Sequence, residues 1–221
     1  MKIQLIVVLG IVLLASQVSA QEKTDLKNQK EKISYIIGMD IGNNLKKQSV
    51  EVDPNILAKG IGDALAGGKP FLTEQEIRDT MAVFQKEMAA KKKKEGEVFL
   101  AENKKKDGVK TLPSGLQYKV IKKGSGKKPT SSDTVTTNYR GTLIDGTEFD
   151  SSYRRGQPAT FPVKGVIPGW TEALQLMEVG SKWQLFVPSN LAYGERGASP
   201  NIGPNATLIF EIELISIQEK K

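Results

Sequence analysis

The sequence contains neither cysteine nor histidine among its 221 residues. Without cysteine there is no disulfide, no thiol nucleophile and no thiol to carry a lipid at the start of a processed chain. Without histidine the commonest general base and the commonest metal ligand are missing, so neither a Ser-His-Asp nor a Cys-His arrangement can be assembled. Whatever chemistry the chain performs is expected to need no cofactor and no metal. Long apolar runs are scarce as well. One unbroken run, residues 5–15, follows Lys2, and it falls short of the ~20 residues that span a bilayer. The small residues Val18-Ser19-Ala20 follow it at a cleavage position, so residues 1–20 read as a secretory signal peptide rather than an anchor. The expected product is an exported, free soluble protein with no membrane span after cleavage. No ER-retention tail follows Lys221, which leans toward a periplasm or secretion over the ER lumen.

What is present is ordinary in bulk and uneven in detail. The chain is 38% hydrophobic and 26% charged, with a formal net charge of +7 that falls by one with the loss of Lys2. The excess is local: lysines 91–94 and 104–106 stand among Glu95, Glu97, Glu102 and Asp107, which reads as a solvated helix surface. A nucleic-acid partner is the sharper alternative and is not expected, because no aromatic residues interleave these lysines and an exported protein rarely meets that partner.

The first half of the processed chain reads as three helices. Over residues 30–48, Ile33, Ile37, Ile41 and Leu45 recur every fourth position, flanked by a parallel row of small residues, Ser34, Gly38 and Gly42. Glycine weakens a helix interior by roughly 1 kcal/mol, so a close helix contact is expected along that row. Asp53-Pro54 opens a second helix that Gly67-Gly68 ends. Thr73 and Glu76 form a capping box for a third, with Ile77, Met81, Phe84 and Met88 as its stripe. That helix is expected to run to about Asp107, an arm of roughly 50 Å. An arm of this length and two short helices cannot build a core of their own, so a homodimer through residues 27–66 is expected, against a monomeric helical hairpin with a loose linker. The implied organisation is a signal peptide (1–20), a helical dimerisation module (21–72), a long connecting helix (73–108) and a second domain (109–221).

Past Gly108 the texture changes to alternation and turns. Residues 116–122, 134–143, 182–187 and 207–217 read as strands, with Glu148-Phe149-Asp150 and a short piece at Phe161 between them. Asp145-Gly146 signals a two-residue hairpin turn, and Pro168 starts a short helix that opens on Trp170. One helix against a mostly antiparallel sheet is an α+β arrangement. Trp170 would sit between helix and sheet, with Tyr139, Phe149, Phe161, Tyr193 and Phe210 around it. A tryptophan so placed is either plain core or the floor of a pocket. Asn205-Ala206-Thr207 fits a glycosylation acceptor and reads as incidental, since its Thr begins a strand.

Five spaced motifs decide between core and pocket: Asn138-Tyr139-Arg140-Gly141, Phe149-Asp150-Ser151-Ser152, Val166-Ile167-Pro168-Gly169-Trp170, Ala192-Tyr193-Gly194 and Ala206-Thr207-Leu208-Ile209-Phe210. In this order they make residues 115–217 resemble the FKBP-type peptidyl-prolyl isomerases. The helical half looks like the dimerisation module of the exported bacterial subgroup of Mip and FkpA type. The resemblance implies an antiparallel sheet wrapped around one short helix, preceded by an all-α dimerisation domain with a long connecting helix. It implies that Trp170 floors the pocket and that Tyr139, Phe149, Phe161 and Phe210 wall it, with Val166 and Ile167 beside the floor and Ile202 on the rim. Tyr193 would donate its hydroxyl to a substrate carbonyl and the Ile167 backbone N–H would hold another. Asp150 would lie near the twisting amide, oriented by Tyr139 or Arg155. Ala159 stands where the best-known eukaryotic members carry an aromatic, which implies a more open edge and looser contacts to macrolide inhibitors.

The activity so implied is cis-trans isomerisation of X-Pro bonds in unfolded or exported polypeptides, as a folding catalyst with chaperone activity in the periplasm. It is compatible with a chain lacking His, Cys and metal ligands, because rotating the amide breaks no bond. The alternative is a dimeric holdase that grips unfolded chains, with isomerisation secondary.

Overall fold

The computed structural model describes residues 25–198 and 201–218; the expected signal peptide, residues 1–20, lies outside them. The chain divides between Phe71 and Leu72 into two compact units.

The described part of the first unit is two helices with well-made ends. Helix α1 (Gln29–Lys47) starts at Asn28, whose Oδ1 accepts the Glu31 N–H at 3.0 Å, and it ends on Lys46 and Lys47, where positive charge suits the carbonyl end of the helix. Helix α2 (Pro54–Leu65) starts at Asp53, whose carboxylate accepts from the Asn55 and Ile56 N–H groups at 2.8 and 3.1 Å. Gly67, at φ +70°, turns the chain out of it. Neither helix buries a single residue. Ile37 is 54% exposed, Ile56 68% and Leu65 85%. A Cβ built on Gly38 or Gly42 would meet nothing within 4 Å among the described residues, so the close contact expected along that row is not found among them.

The second unit opens with α3 (Glu74–Asn103), started by the expected capping box: Thr73 Oγ1 accepts from the Glu76 N–H at 3.2 Å and Glu76 accepts from the Thr73 N–H at 2.8 Å. The helix is 30 residues long, about 45 Å, and stops four residues before Asp107. Beyond Asn103 the hydrogen bonds tighten to a three-residue spacing, and Gly108, at φ +77°, ends the turn. The second half of α3 is not a free arm. Gly96 is buried against Thr207, Phe99 lies 6.0 Å from Phe186, and Asn103, 1% exposed, donates to Gln117 Oε1 at 2.9 Å. Gln117 in turn donates to the Leu100 carbonyl at 2.9 Å.

The strands β1 (Val109–Thr111), β2 (Gln117–Lys122), β3 (Thr134–Leu143), β4 (Glu148–Ser151), β5 (Ala159–Pro162), β6 (Lys182–Val187) and β7 (Leu208–Ile217) form one sheet. Its order is β1-β2-β6-β7-β3-β4, with β5 pairing on β3, and all pairs are antiparallel. Alternation along β7 buries Leu208, Phe210, Ile212 and Leu214. Against them packs α4 (Pro168–Leu176), burying Trp170, Ala173 and Leu174. Each such large apolar side chain contributes about 1.5–3 kcal/mol through burial. The β3–β4 turn corrects the two-residue expectation. Leu143 N–H bonds to the Thr147 carbonyl and Gly146 N–H to the Leu143 carbonyl. The loop is therefore Ile144-Asp145-Gly146, three residues with Gly146 at φ +84°. No helix among the described residues is long and apolar enough to cross a membrane.

Candidate active site

Trp170 is held where α4 meets the sheet. Pro168 occupies the first turn, and the Ile167 carbonyl accepts the Trp170 and Thr171 N–H groups at 2.9 and 3.1 Å. Thr171 Oγ1 donates to the Val163 carbonyl at 2.7 Å, tying the helix to the turn before it. At Gly169 a Cβ would come within 2.6 Å of Val187, so only glycine lets the helix start this close to β6.

Around the indole stand three rings, nearly perpendicular to it: Tyr139 at 5.2 Å, Phe210 at 5.1 Å and Phe161 at 5.8 Å between centroids. Phe149 meets Phe210 edge-on at 5.5 Å. Edge-to-face pairs of this kind contribute about 0.5–1.5 kcal/mol each beyond burial, so the walls are held without reaching into the space they enclose. That space is a cavity of about 390 Å³ lined by Tyr139, Phe149, Asp150, Phe161, Gly165, Val166, Ile167, Trp170, Tyr193 and Phe210. The Trp170 indole N–H is buried and has no hydrogen-bond partner among the described residues.

One edge of the cavity is polar. The Tyr139 hydroxyl donates to Asp150 Oδ2 at 2.5 Å, Arg155 Nη2 donates to the Tyr139 hydroxyl at 2.6 Å, and Arg155 Nη1 pairs with Asp150 Oδ1. The Ser151 N–H adds a fourth bond, to Asp150 Oδ1 at 2.8 Å. Partial burial raises the Asp150 pKa and is the largest single influence. Hydrogen bonds from Tyr139 and Arg155, the charge of Arg155 and the Ser151 N–H together outweigh it and hold the carboxyl below its ordinary value. Burial, then the bond to Asp150, pushes the Tyr139 phenol up against the opposing Arg155. Burial, then the Asp150 charge, pushes Tyr193 up. Both phenols are therefore protonated donors at neutral pH, and Asp150 is a saturated carboxylate, a poor proton acceptor.

These directions fix a pH dependence. Activity on X-Pro peptides is expected to be flat from about pH 5.5 to 8.5, with no step near 6 to 7. The stabilising contribution of Asp150 is full above the ordinary carboxylate range and is lost as pH falls through that range and below it, because its folded pKa is depressed. A bell-shaped profile centred near neutrality would contradict this reading.

Of the residues singled out from sequence, nine line the cavity. Arg155 does not line it and acts on Asp150 and Tyr139 from behind. Ile202, expected on the rim, is 7% exposed, is bridged to Ala198 and belongs to the core. Its side chain is drawn inward because the loop folds back on itself through the Ala198–Ile202 bonds at 2.7 and 3.0 Å. Three further residues shape the site. Gly165 lines the cavity directly. Ser152, fully buried, accepts the Tyr139 N–H at 2.8 Å and pins that strand position. At Gly141 a Cβ would lie 2.6–2.8 Å from the Phe149 and Phe210 rings, so the walls close over β3 only because the residue is glycine. Gly141 and Ser152 close two of the sequence motifs, residues 138–141 and 149–152, where neither was given a role. Among the described residues no group of three or more His, Cys, Asp or Glu side chains comes together to hold a metal ion.

The same organisation recurs in known proteins. The family model described as FKBP-type peptidyl-prolyl cis-trans isomerase matches residues 125–215, and the domain amino-terminal to it matches residues 30–120. The chain is 48% identical to the outer membrane protein MIP of Legionella longbeachae over 99% of its own length and 98% of the relative's. It is 46% identical to the peptidyl-prolyl cis-trans isomerase Mip of Coxiella burnetii over 91% and 93%. The crystal structure of FkpA from Escherichia coli superimposes with a TM-score of 0.59 at 40% identity, covering 87% of this chain and 98% of that one.

Proposed function

This chain belongs to the FKBP-type peptidyl-prolyl cis-trans isomerases, and from that membership we propose that its aromatic cavity receives the proline of X-Pro segments in unfolded, exported polypeptides. The observation that carries the reading is the cavity itself, three rings around one buried indole with Phe149 edge-on to one of them and a polar edge at Asp150. The barrier to rotation, about 18–20 kcal/mol, comes from amide resonance, which is lost in the twisted state. Resonance also gives the planar amide its charge separation. The twisted form is therefore less polar and loses less on leaving water for an aromatic cavity, so the site binds it more tightly than the planar ground states. Each 1.36 kcal/mol of that difference gives a tenfold rate increase.

The placement supports the following roles. Trp170 is the floor under the proline ring, and Tyr139, Phe149, Phe161 and Phe210 are the walls, with Val166 beside the floor. The Tyr193 hydroxyl and the Ile167 N–H hold carbonyls flanking the bond, which keeps the peptide in a turn. Asp150 fixes the Tyr139 ring from the polar edge and presents a negative charge near the twisting amide. No proton moves. The open edge left by Ala159 admits macrolide inhibitors with looser contacts.

We further propose that two copies pair through α1 and α2. Helices with no buried residue and with Ile33, Ile36, Ile37, Ile56 and Leu65 exposed support this, since such a unit has no core of its own. Export, and with it a periplasmic location, is supported by the signal-like residues 1–20 and by the likeness to an outer membrane protein of Legionella longbeachae. Chaperone activity would use the cleft that the paired helices form, which favours the reading of a folding catalyst that also holds unfolded chains.

The test is an isomerase assay of the processed protein on X-Pro peptides with varied X. Apolar X is expected to be preferred, because the cavity wall beside the bond is aromatic. A rate indistinguishable from the uncatalysed one for every X would sink the proposal.

A further inference from the structure

The triplet Asn205-Ala206-Thr207 takes no part in the cavity, yet both of its polar side chains are engaged with α3. Asn205 is 9% exposed and sits at φ +57°, a left-handed conformation that asparagine and glycine tolerate best. Its backbone N–H donates to the Gly194 carbonyl at 2.8 Å, one residue from Tyr193. Its side-chain Nδ2 donates to the Ala89 carbonyl of α3 at 3.2 Å. Thr207, 5% exposed, puts its hydroxyl into the notch that Gly96 leaves, where a Cβ would overlap it. Ala89 and Gly96 are seven positions apart, about two turns, and so share one side of the helix. Between the helix and the loop lies open space. A cavity of about 350 Å³ separates Lys93, Glu97 and Leu100 of α3 from Ser189, Gly194 and Asn205. Among the described residues, Asn205 and Thr207 tie the loop that carries Tyr193 to α3.

We propose that α3 sets the position of the Tyr193 loop through Asn205, with Gly96 and Thr207 as a second clasp, so that Asn205 is a positioning residue for the pocket rim. Its effect on rate rests on the reading of Tyr193 as a carbonyl donor; the coupling of helix to loop rests on geometry alone. A displacement of α3 reaches Gly194, and with it the Tyr193 hydroxyl, by a chain of two hydrogen bonds.

Asn205→Gly isolates the clasp. Glycine keeps the left-handed backbone and the N–H that bonds Gly194, and removes only the amide that reaches Ala89. In the full processed chain, amide exchange at Ile202 and Ala206 is expected to accelerate while protection in β3 and β7 is unchanged. On X-Pro peptides kcat/KM is expected to fall by roughly three- to thirtyfold, as a misplaced donor predicts. In a Tyr193→Phe background the same substitution is expected to cause no further loss, which a merely structural effect would not predict. Gly96→Ala, which pushes Thr207 off the helix, should repeat the pattern and supplies the comparison where Asn205→Gly fails to fold. Unchanged loop exchange, or an equal loss in both backgrounds, overturns the coupling. A silent Tyr193→Phe combined with accelerated loop exchange instead overturns the role of Tyr193 and leaves the coupling standing.

Discussion

Replacing Trp170 with leucine is expected to lower kcat/KM on X-Pro peptides by about a hundredfold or more, equivalent to roughly 2.7 kcal/mol of transition-state stabilisation. The indole is the common neighbour of Tyr139, Phe161 and Phe210, so leucine removes the floor and the partner that keeps three walls upright. The same substitution should destabilise the fold by about 2–3 kcal/mol, less than the 3–5 kcal/mol typical of Trp→Ala, because leucine refills part of the volume. Activity must therefore be measured well below the lowered Tm, with the near-ultraviolet signal of Trp183 reporting an intact core. Suppression of aggregation should survive, since the apolar helices of the first unit are untouched. A folded Trp170→Leu protein with near-native kcat/KM would remove the indole from the mechanism, and simultaneous loss of both activities would contradict their independence.

The second large effect is expected at α2. Ile56, Leu57, Gly60, Ile61 and Ala64 of that helix, with Val52 and Asp53 just before it, line one mostly apolar groove, the face proposed to meet the partner copy. Leu57→Glu together with Ile61→Glu places two charges one turn apart in that groove. An uncompensated buried charge costs several kcal/mol, so sedimentation or light scattering at micromolar concentration should find half the native mass. Refolding of a large proline-limited substrate should slow and aggregation should rise. Short X-Pro peptides, which need only the cavity, should be turned over within about twofold of the native rate. Retention of the native mass would show that α2 does not carry the interface, and loss of peptide turnover would tie the helices to the chemistry.

Much of this was legible in the residues, for identifiable reasons. Asp53-Pro54 and Thr73 with Glu76 are local signals whose hydrogen bonds close within three residues, Pro168 is one whose fixed φ suits a first turn, and all three start helices where expected. β3 and β7 alternate cleanly because each has one face on the core. The docking of α3 was not legible. Its apolar stripe ends at Met88, and the face that meets the sheet is built from Ala89, Gly96 and Asn103 with one aromatic, Phe99. Small and polar residues of that kind carry no periodic hydrophobic signal, and the lysine run at 91–94 that interrupts them reads as solvent. The three-residue turn after β3 was hidden for a related reason, because Asp-Gly serves both turn lengths and the choice rests on pairing across the strands. At the site, the motifs brought the right residue types together, but only the fold shows that Asp150 is saturated by Tyr139, Arg155 and Ser151. That saturation, rather than the residue types, argues against a proton-transfer base. Ile202 shows the converse, a residue that the resemblance puts on the rim and whose side chain the loop turns into the core.

The most direct measurement is exchange NMR of an X-Pro peptide with catalytic amounts of the ¹⁵N-labelled processed protein. The cis and trans proline signals should exchange faster than in free peptide. On raising the peptide concentration, the Trp170 indole N–H and the Ile167 amide should shift together. Trp183 provides the internal control, because it stacks on Tyr118 at 4.3 Å and lies outside the cavity; its indole signal should stay in place. Accelerated exchange with the Trp170 and Ile167 signals unmoved would contradict the assignment of this cavity as the place where the proline turns.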